Sequence, residues 1–223
     1  MSAREKKMRR FSSAPIVLIS LIFFTSILPN STINGEIMPQ DYFTTSASIP
    51  RGTVDPEVYV DTNKPDMTWN GTTLFADLHI AERPRIIEVN MLGEIVWQYV
   101  VPENLKQYTN PGLDVELLPN NNVLFVLPRK GAYEINRNGT VVWSYLDGKV
   151  SHDADRLPNG NTLIVWGGDD AIDDAQVKEI NPKGDIVWSW YAKDHFYKTP
   201  FKDVYNEGWT HTNSATRLPN GNT

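Results

Sequence analysis

Residues 152–191 read HDADRLPNGNTLIVWGGDDAIDDAQVKEINPKGDIVWSWY, and most of this stretch is built from pieces that also occur upstream. "LIVWG" (163–167) matches "LFADL" (74–78) and "LFVLP" (124–128); "VKEIN" (177–181) matches "IIEVN" (86–90) and "AYEIN" (132–136). "GDIVWSW" (184–190) likewise matches "GEIVWQY" (93–99) and "GTVVWSY" (139–145), so that Trp97, Trp143 and Trp188 stand 46 and 45 residues apart. Each piece is short, rich in β-branched and aromatic residues, and bounded by Gly, Pro or Asn, which is how strands read. Four short strands repeated in tandem every ~45 residues are the pattern of β-propeller blades. The expected fold class is therefore all-β, a propeller over residues 64–223.

Within one repeat the innermost strand, A, is "HDADRL", B is "TLIVW", C is "VKEIN" and D is "DIVWSWY". Turns of the type "LPNNN" (118–122) and "LPNGN" (157–161, 218–222) suit the A to B hairpin, and "NMLG", "NRNG" and "NPKG" the C to D hairpin, because Asn and Gly tolerate positive φ. The D-strand tryptophans read as packing between blades. Up-and-down topology puts all these short turns on one face. The other face receives the variable connections, among them "LHIAERP" (78–84), "VPENLKQYTNPG" (101–112), "GGDDAIDDAQ" (167–176) and the long segment 191–209. Variable loops on a rigid scaffold are where binding and catalysis usually reside.

His152 and His211 both fall where a D to A loop enters an inner strand, at the mouth of the expected central channel, while the corresponding earlier place has Leu113 and Asp114. Two imidazoles there suit nucleophilic or acid–base chemistry or metal ligation. His79 and His195 lie in other loops and read as solvated. The histidine spacing is poor for a metal, although a centre with Asp153 or Asp155 is conceivable, and Asp169, Asp170, Asp173 and Asp174 miss the spacing of a calcium loop. They read as a solvated acidic loop, and no metal or cofactor is expected.

The remaining chain sets the surroundings. "MSAREKKMRR" carries five Lys/Arg ahead of an uncharged apolar stretch ending at Leu28, the form of an export signal or of a membrane anchor through residues 11–28. Residues 29–63 read as a linker or N-terminal arm. Without residues 1–28 the chain keeps 16 of 21 Lys/Arg and 26 of 27 Asp/Glu, a net charge of −10, which argues against a nucleic-acid partner. There are no cysteines, so no disulfide or thiolate site exists. Asn30, Asn70 and Asn138 each open a glycosylation acceptor pattern. Exported placement follows: cell surface, periplasm or extracellular space.

"EGWTHTNSATRLPNGNT" (207–223) resembles the Trp-x-His-x-Asn segment of the aryl-sulfate-dependent arylsulfotransferases, and the "HDADRLPNGNTLIVW" and "GxIVW" cassettes are similar to their repeats. The resemblance covers about residues 64–223. It implies an exported six-bladed propeller that moves a sulfuryl group from an aryl sulfate to a phenol through a sulfated histidine, without a nucleotide donor. It implies catalytic roles for His211 and His152, and substrate binding by Asn213, Trp209 and Asp153. The family's arginine and sulfated histidine would fall beyond Thr223; Arg156 and Arg217 read as strand-end surface residues. Six blades need roughly 270 residues, so 64–223 supplies about three and a half, and the expectation is an N-terminal fragment that is inactive alone. Two alternatives compete. One is a non-catalytic extracellular propeller binding ligands on its loop face. The other is a quinone-dependent dehydrogenase, whose Asp-x-x-x-Gly spacing before the tryptophan is missed in "NPKGDIVW" and "NRNGTVVW" by one residue.

Overall fold

In the second and third repeats strand B, "VLFVL" (123–127) and "TLIVW" (162–166), is apolar on both faces, which only pays if neighbouring sheets cover both. The computed structural model describes residues 58–110, 112–167, 173–196, 198–201 and 210–223, together with the backbone of 32–33 and 36–37. The expected signal or anchor, residues 1–28, lies outside them, and among the described residues no helix is long and apolar enough to cross a membrane.

A small antiparallel pair, β1 (Thr32–Ile33) and β2 (Glu36–Ile37), precedes the repeats. The repeats then form three antiparallel sheets whose strands are hydrogen-bonded in chain order. The first holds β3 (Thr72–Asp77), β4 (Arg85–Asn90) and β5 (Ile95–Val100). The second holds β6 (Val115–Leu117), β7 (Val123–Leu127), β8 (Gly131–Ile135) and β9 (Val141–Leu146). The third holds β10 (Val150–Arg156), β11 (Thr162–Trp166), β12 (Val177–Ile180) and β13 (Ile186–Trp190), followed by the short helix α1 (Ala192–Phe196). These are the strands read from the sequence, and the all-β class stands.

The turns are set by asparagine. At each C to D connection the Asn side-chain oxygen accepts two backbone N–H groups: Leu92 and Glu94 on Asn90, Asn138 and Thr140 on Asn136, Lys183 and Asp185 on Asn181. The glycine three residues on takes the left-handed φ of 80°, 80° and 91° that closes the loop. At the A to B hairpins Leu118, Leu157 and Leu218 donate to the carbonyls of Asn122, Asn161 and Asn222.

Every residue of β7, β8 and β12 is buried, and the sheets stack face to face. Ile86 and Tyr99 of the first sheet pack with Val123, Phe125 and Tyr133 of the second, where Phe125 stacks on Tyr133 at 5.5 Å. Leu124, Val126 and Ala132 of the second pack with Val150, Ala154, Ile164 and Ile180 of the third. Each fully buried aliphatic or aromatic side chain here contributes about 1.5–3 kcal/mol. On the far side of the third sheet Leu163 and Val177 lie under Trp188, Trp190 and Ala215 of the following strand.

A clasp recurs at each junction, and it overturns one expectation. Arg156 and Arg217 are not surface residues. Arg156 pairs with Glu134 at 2.9 Å and lies 4.7 Å over Trp143; Arg217 pairs with Glu179 at 3.0 Å and lies 5.1 Å over Trp188. The same glutamates accept Asn122 at 2.6 Å and Asn161 at 2.7 Å from the hairpins. Each clasp therefore ties strand C, strand D and the A to B turn of one sheet to the inner strand of the next. At the first junction the position equivalent to Arg156 is Leu117, and Arg137 from the β8–β9 turn does the work instead, pairing with Glu88 and lying 4.7 Å over Trp97. The tryptophans are inter-sheet packing residues, as their spacing suggests.

Candidate functional site at the mouth of the inner strands

His152 sits in an irregularity of β10, where the pairing with β11 shifts between Val150 and Ala154. Bulges of this kind re-aim side chains. Its ring lies 6.4 Å from that of His211, tilted by 38°. His152 also borders a cavity of about 290 Å³ with Gly112, Leu113 and Asp114.

The two histidines meet although they are not equivalent in register. Counted back from the hairpin leucines Leu157 and Leu218, whose N–H bonds correspond, His152 aligns with Leu113 and with Asn213. His211 lies two residues earlier and reaches the same place by a backbone kink, with φ at +38°. Asn213, exposed, holds the His152 position in the segment that follows the third sheet. Trp209 lies outside the described residues.

Asp153 is engaged structurally: its Oδ2 accepts the Ala215 N–H at 2.7 Å. The same bond occurs one junction earlier, where Asp114 Oδ2 accepts the Ala154 N–H at 3.3 Å. Glu116 accepts the Arg156 N–H at 2.9 Å, and Asp155 is hydrogen-bonded by the Thr216 side chain. Burial pushes all four carboxyls up, Asp153 to about 6, and their mutual repulsion adds to the shift of Asp153. The sequence reading missed this carboxylate ladder. The signal was there: Asp114-x-Glu116 and Asp153-x-Asp155 stand at the same distance ahead of the hairpin, and residues two apart share a strand face.

The other two histidines are not simply solvated. His79, half exposed, is held by Asp77, which also accepts Arg85 Nε at 2.7 Å. Burial raises the Asp77 carboxyl, but the bonds from His79 and Arg85 outweigh it and hold it below its usual range. His195, on α1, stacks on Trp190 at 5.1 Å. In the acidic loop, Asp174 pairs with Lys149 at 2.7 Å and Asp173 with Lys193 at 2.8 Å; Asp169 and Asp170 lie outside the described residues. Among the described residues no group of three or more His, Asp or Glu side chains is arranged to hold a metal ion.

Stacked antiparallel sheets in a repeated strand order define a repeat-built all-β protein, in which the rings of His152 and His211 stand 6.4 Å apart. Residues 57–223 match the family model described as arylsulfotransferase (ASST), and the chain belongs to that family. No curated protein matches it. A crystal structure of a protein of unknown function from Bacteroides caccae shares 17% identity, covering 63% of this chain and 69% of the other with a TM-score of 0.34.

Proposed function

We propose that the protein transfers a sulfuryl group from an aryl sulfate ester to a phenolic acceptor through a sulfated histidine. Membership of the arylsulfotransferase family supports this class of enzyme with small aryl substrates. The observation that carries the reading is the pair of imidazoles 6.4 Å apart, one on the inner strand β10 and one on the segment that follows the third sheet.

Sulfuryl transfer, like phosphoryl transfer, depends on positioning and on charge stabilisation at the equatorial oxygens. His211 is the group closest to the transferred sulfuryl or the leaving phenolate oxygen, with His152 as its acid–base partner and Asn213 and Trp209 at the substrate. The cation that the sulfuryl oxygens need comes from neither Arg156 nor Arg217, because both are committed to glutamates and tryptophans. Export with a cleaved signal or an anchor at residues 11–28 completes the reading.

The test is an assay of the protein with p-nitrophenyl sulfate and phenol. The expected result is phenol-dependent release of nitrophenolate, reduced at least about a hundredfold in His211→Ala. Binding of aryl sulfates with no release would favour instead a non-catalytic ligand-binding propeller.

A further inference from the structure

We propose that Asp153 is a positioning residue that sets where His211 stands against His152. The segment from His211 to Arg217, which forms no ladder of its own, follows the third sheet and is anchored at three successive residues. Arg217 is held by Glu179 and Trp188, the Thr216 side chain by Asp155, and the Ala215 N–H by Asp153 at 2.7 Å. Of these three anchors, Asp153 holds the residue nearest the histidine end. It also lies next to His152, inside the same irregular stretch of β10.

One residue therefore fixes both partners of the imidazole pair. Its backbone carries the bulge that aims His152, and its carboxylate holds the neighbouring strand at Ala215, four residues from His211. The earlier junction shows that this is a built device: Asp114, at the equivalent position, holds Ala154, the equivalent amide. There the device carries no histidine pair, because Leu113 stands where His152 does. The bond matters more at Ala215 because His211 has a backbone φ of +38°, a conformation that L side chains rarely adopt and that surrounding contacts must over-determine. A carboxylate acceptor makes a charge-assisted bond about twice as strong as a neutral one.

The test uses the full-length protein and three variants: Asp153→Ala, Asp153→Asn and, as a control for lost charge, Asp155→Asn. The first readout needs no catalysis. Asp153→Ala should speed hydrogen exchange at the Ala215 amide about tenfold or more and abolish ring-to-ring NOEs between His152 and His211. Asp153→Asn, whose side-chain carbonyl can accept the same N–H, should preserve both, and Asp155→Asn should leave the NOEs intact. Retention of the histidine contact in Asp153→Ala overturns the proposal, as does its loss in Asp153→Asn. The second readout rests on the sulfuryl-transfer reading: kcat for p-nitrophenyl sulfate should fall in Asp153→Ala with KM little changed, and recover in Asp153→Asn. A wild type that shows the histidine contact but no transfer refutes the proposed function and leaves the positioning role standing.

Discussion

Replacing Arg156 by alanine removes the whole second clasp. The guanidinium donates to Glu134 at 2.9 Å and to the Gly160 carbonyl at 3.3 Å, and lies 4.7 Å over Trp143. Its side chain is 16% exposed and that of Glu134 9%, so the pair falls between an exposed ion pair, worth 0–1 kcal/mol, and a buried one, whose breakage costs about 3–5 kcal/mol. Glu134 keeps its bonds from Asn120 and Asn122, which sets the ionic loss near ~1.5 kcal/mol. Losing the contact with the indole adds about 1 kcal/mol, and the arginine stem packed on the ring adds a similar amount. A total of roughly 3.5 kcal/mol corresponds to a fall in Tm of about 7–14 °C for a domain of this size. Thermal unfolding followed by tryptophan fluorescence and circular dichroism measures it. Arg156→Lys should recover less than half, because an ammonium lacks the planar fork. A loss below about 2 °C in Arg156→Ala, or full recovery with lysine, would refute the clasp as a stabilising unit.

Three further outcomes follow from the geometry. Gly131 has φ at +152° and an added Cβ would stand 2.4 Å from the Tyr145 carbonyl oxygen, so Gly131→Ala should lower stability by at least about 2 kcal/mol in urea titration, whereas Gly148→Ala, whose nearest neighbour is 3.9 Å away, should be close to neutral. Stability should rise as pH falls from 7 to 5: the folded Asp153 titrates at about 6 against 3.8 when unfolded, so its contribution is fully present below about pH 4 and is lost as pH rises through 6. Partial exposure discounts this to about 1 kcal/mol, and the slope should flatten in Asp153→Asn; a Tm that climbs from pH 5 to 7 and is unaffected by that variant would contradict it. Asp77 and Glu179 act in the opposite sense, because their folded values are lowered and their contribution is lost as pH falls through them.

The strands and turns were legible because they rest on local chemistry. Asn90, Asn136 and Asn181 sit where a side-chain oxygen can cap a tight turn, and the glycine after each sits where φ must be positive; both signals are complete within five residues. The D-strand tryptophans were legible as packing because spacing alone shows them recurring once per sheet. Their arginine partners were not, since Arg156 and Arg217 reach back to a sheet that precedes them in the chain, and Arg137 reaches it from a different strand. The carboxylate ladder was hidden for the same reason: Asp114 and Asp153 each act on an amide 40 or 62 residues away.

By itself the sequence determined the all-β class, the sheet order, the hairpin turns and the family, because each depends on residues close in the chain or on a repeat that can be counted. It also singled out His152 and His211, but in a register that the hairpins do not share. Only the tertiary structure decided that these two imidazoles face one another. That meeting depends on a bulge in one inner strand, a strained backbone in the next, and a carboxylate bridging the gap between strands that exchange no ladder hydrogen bonds. Such a gap is closed by side chains, and side-chain reach across sheets leaves no periodic trace in a sequence.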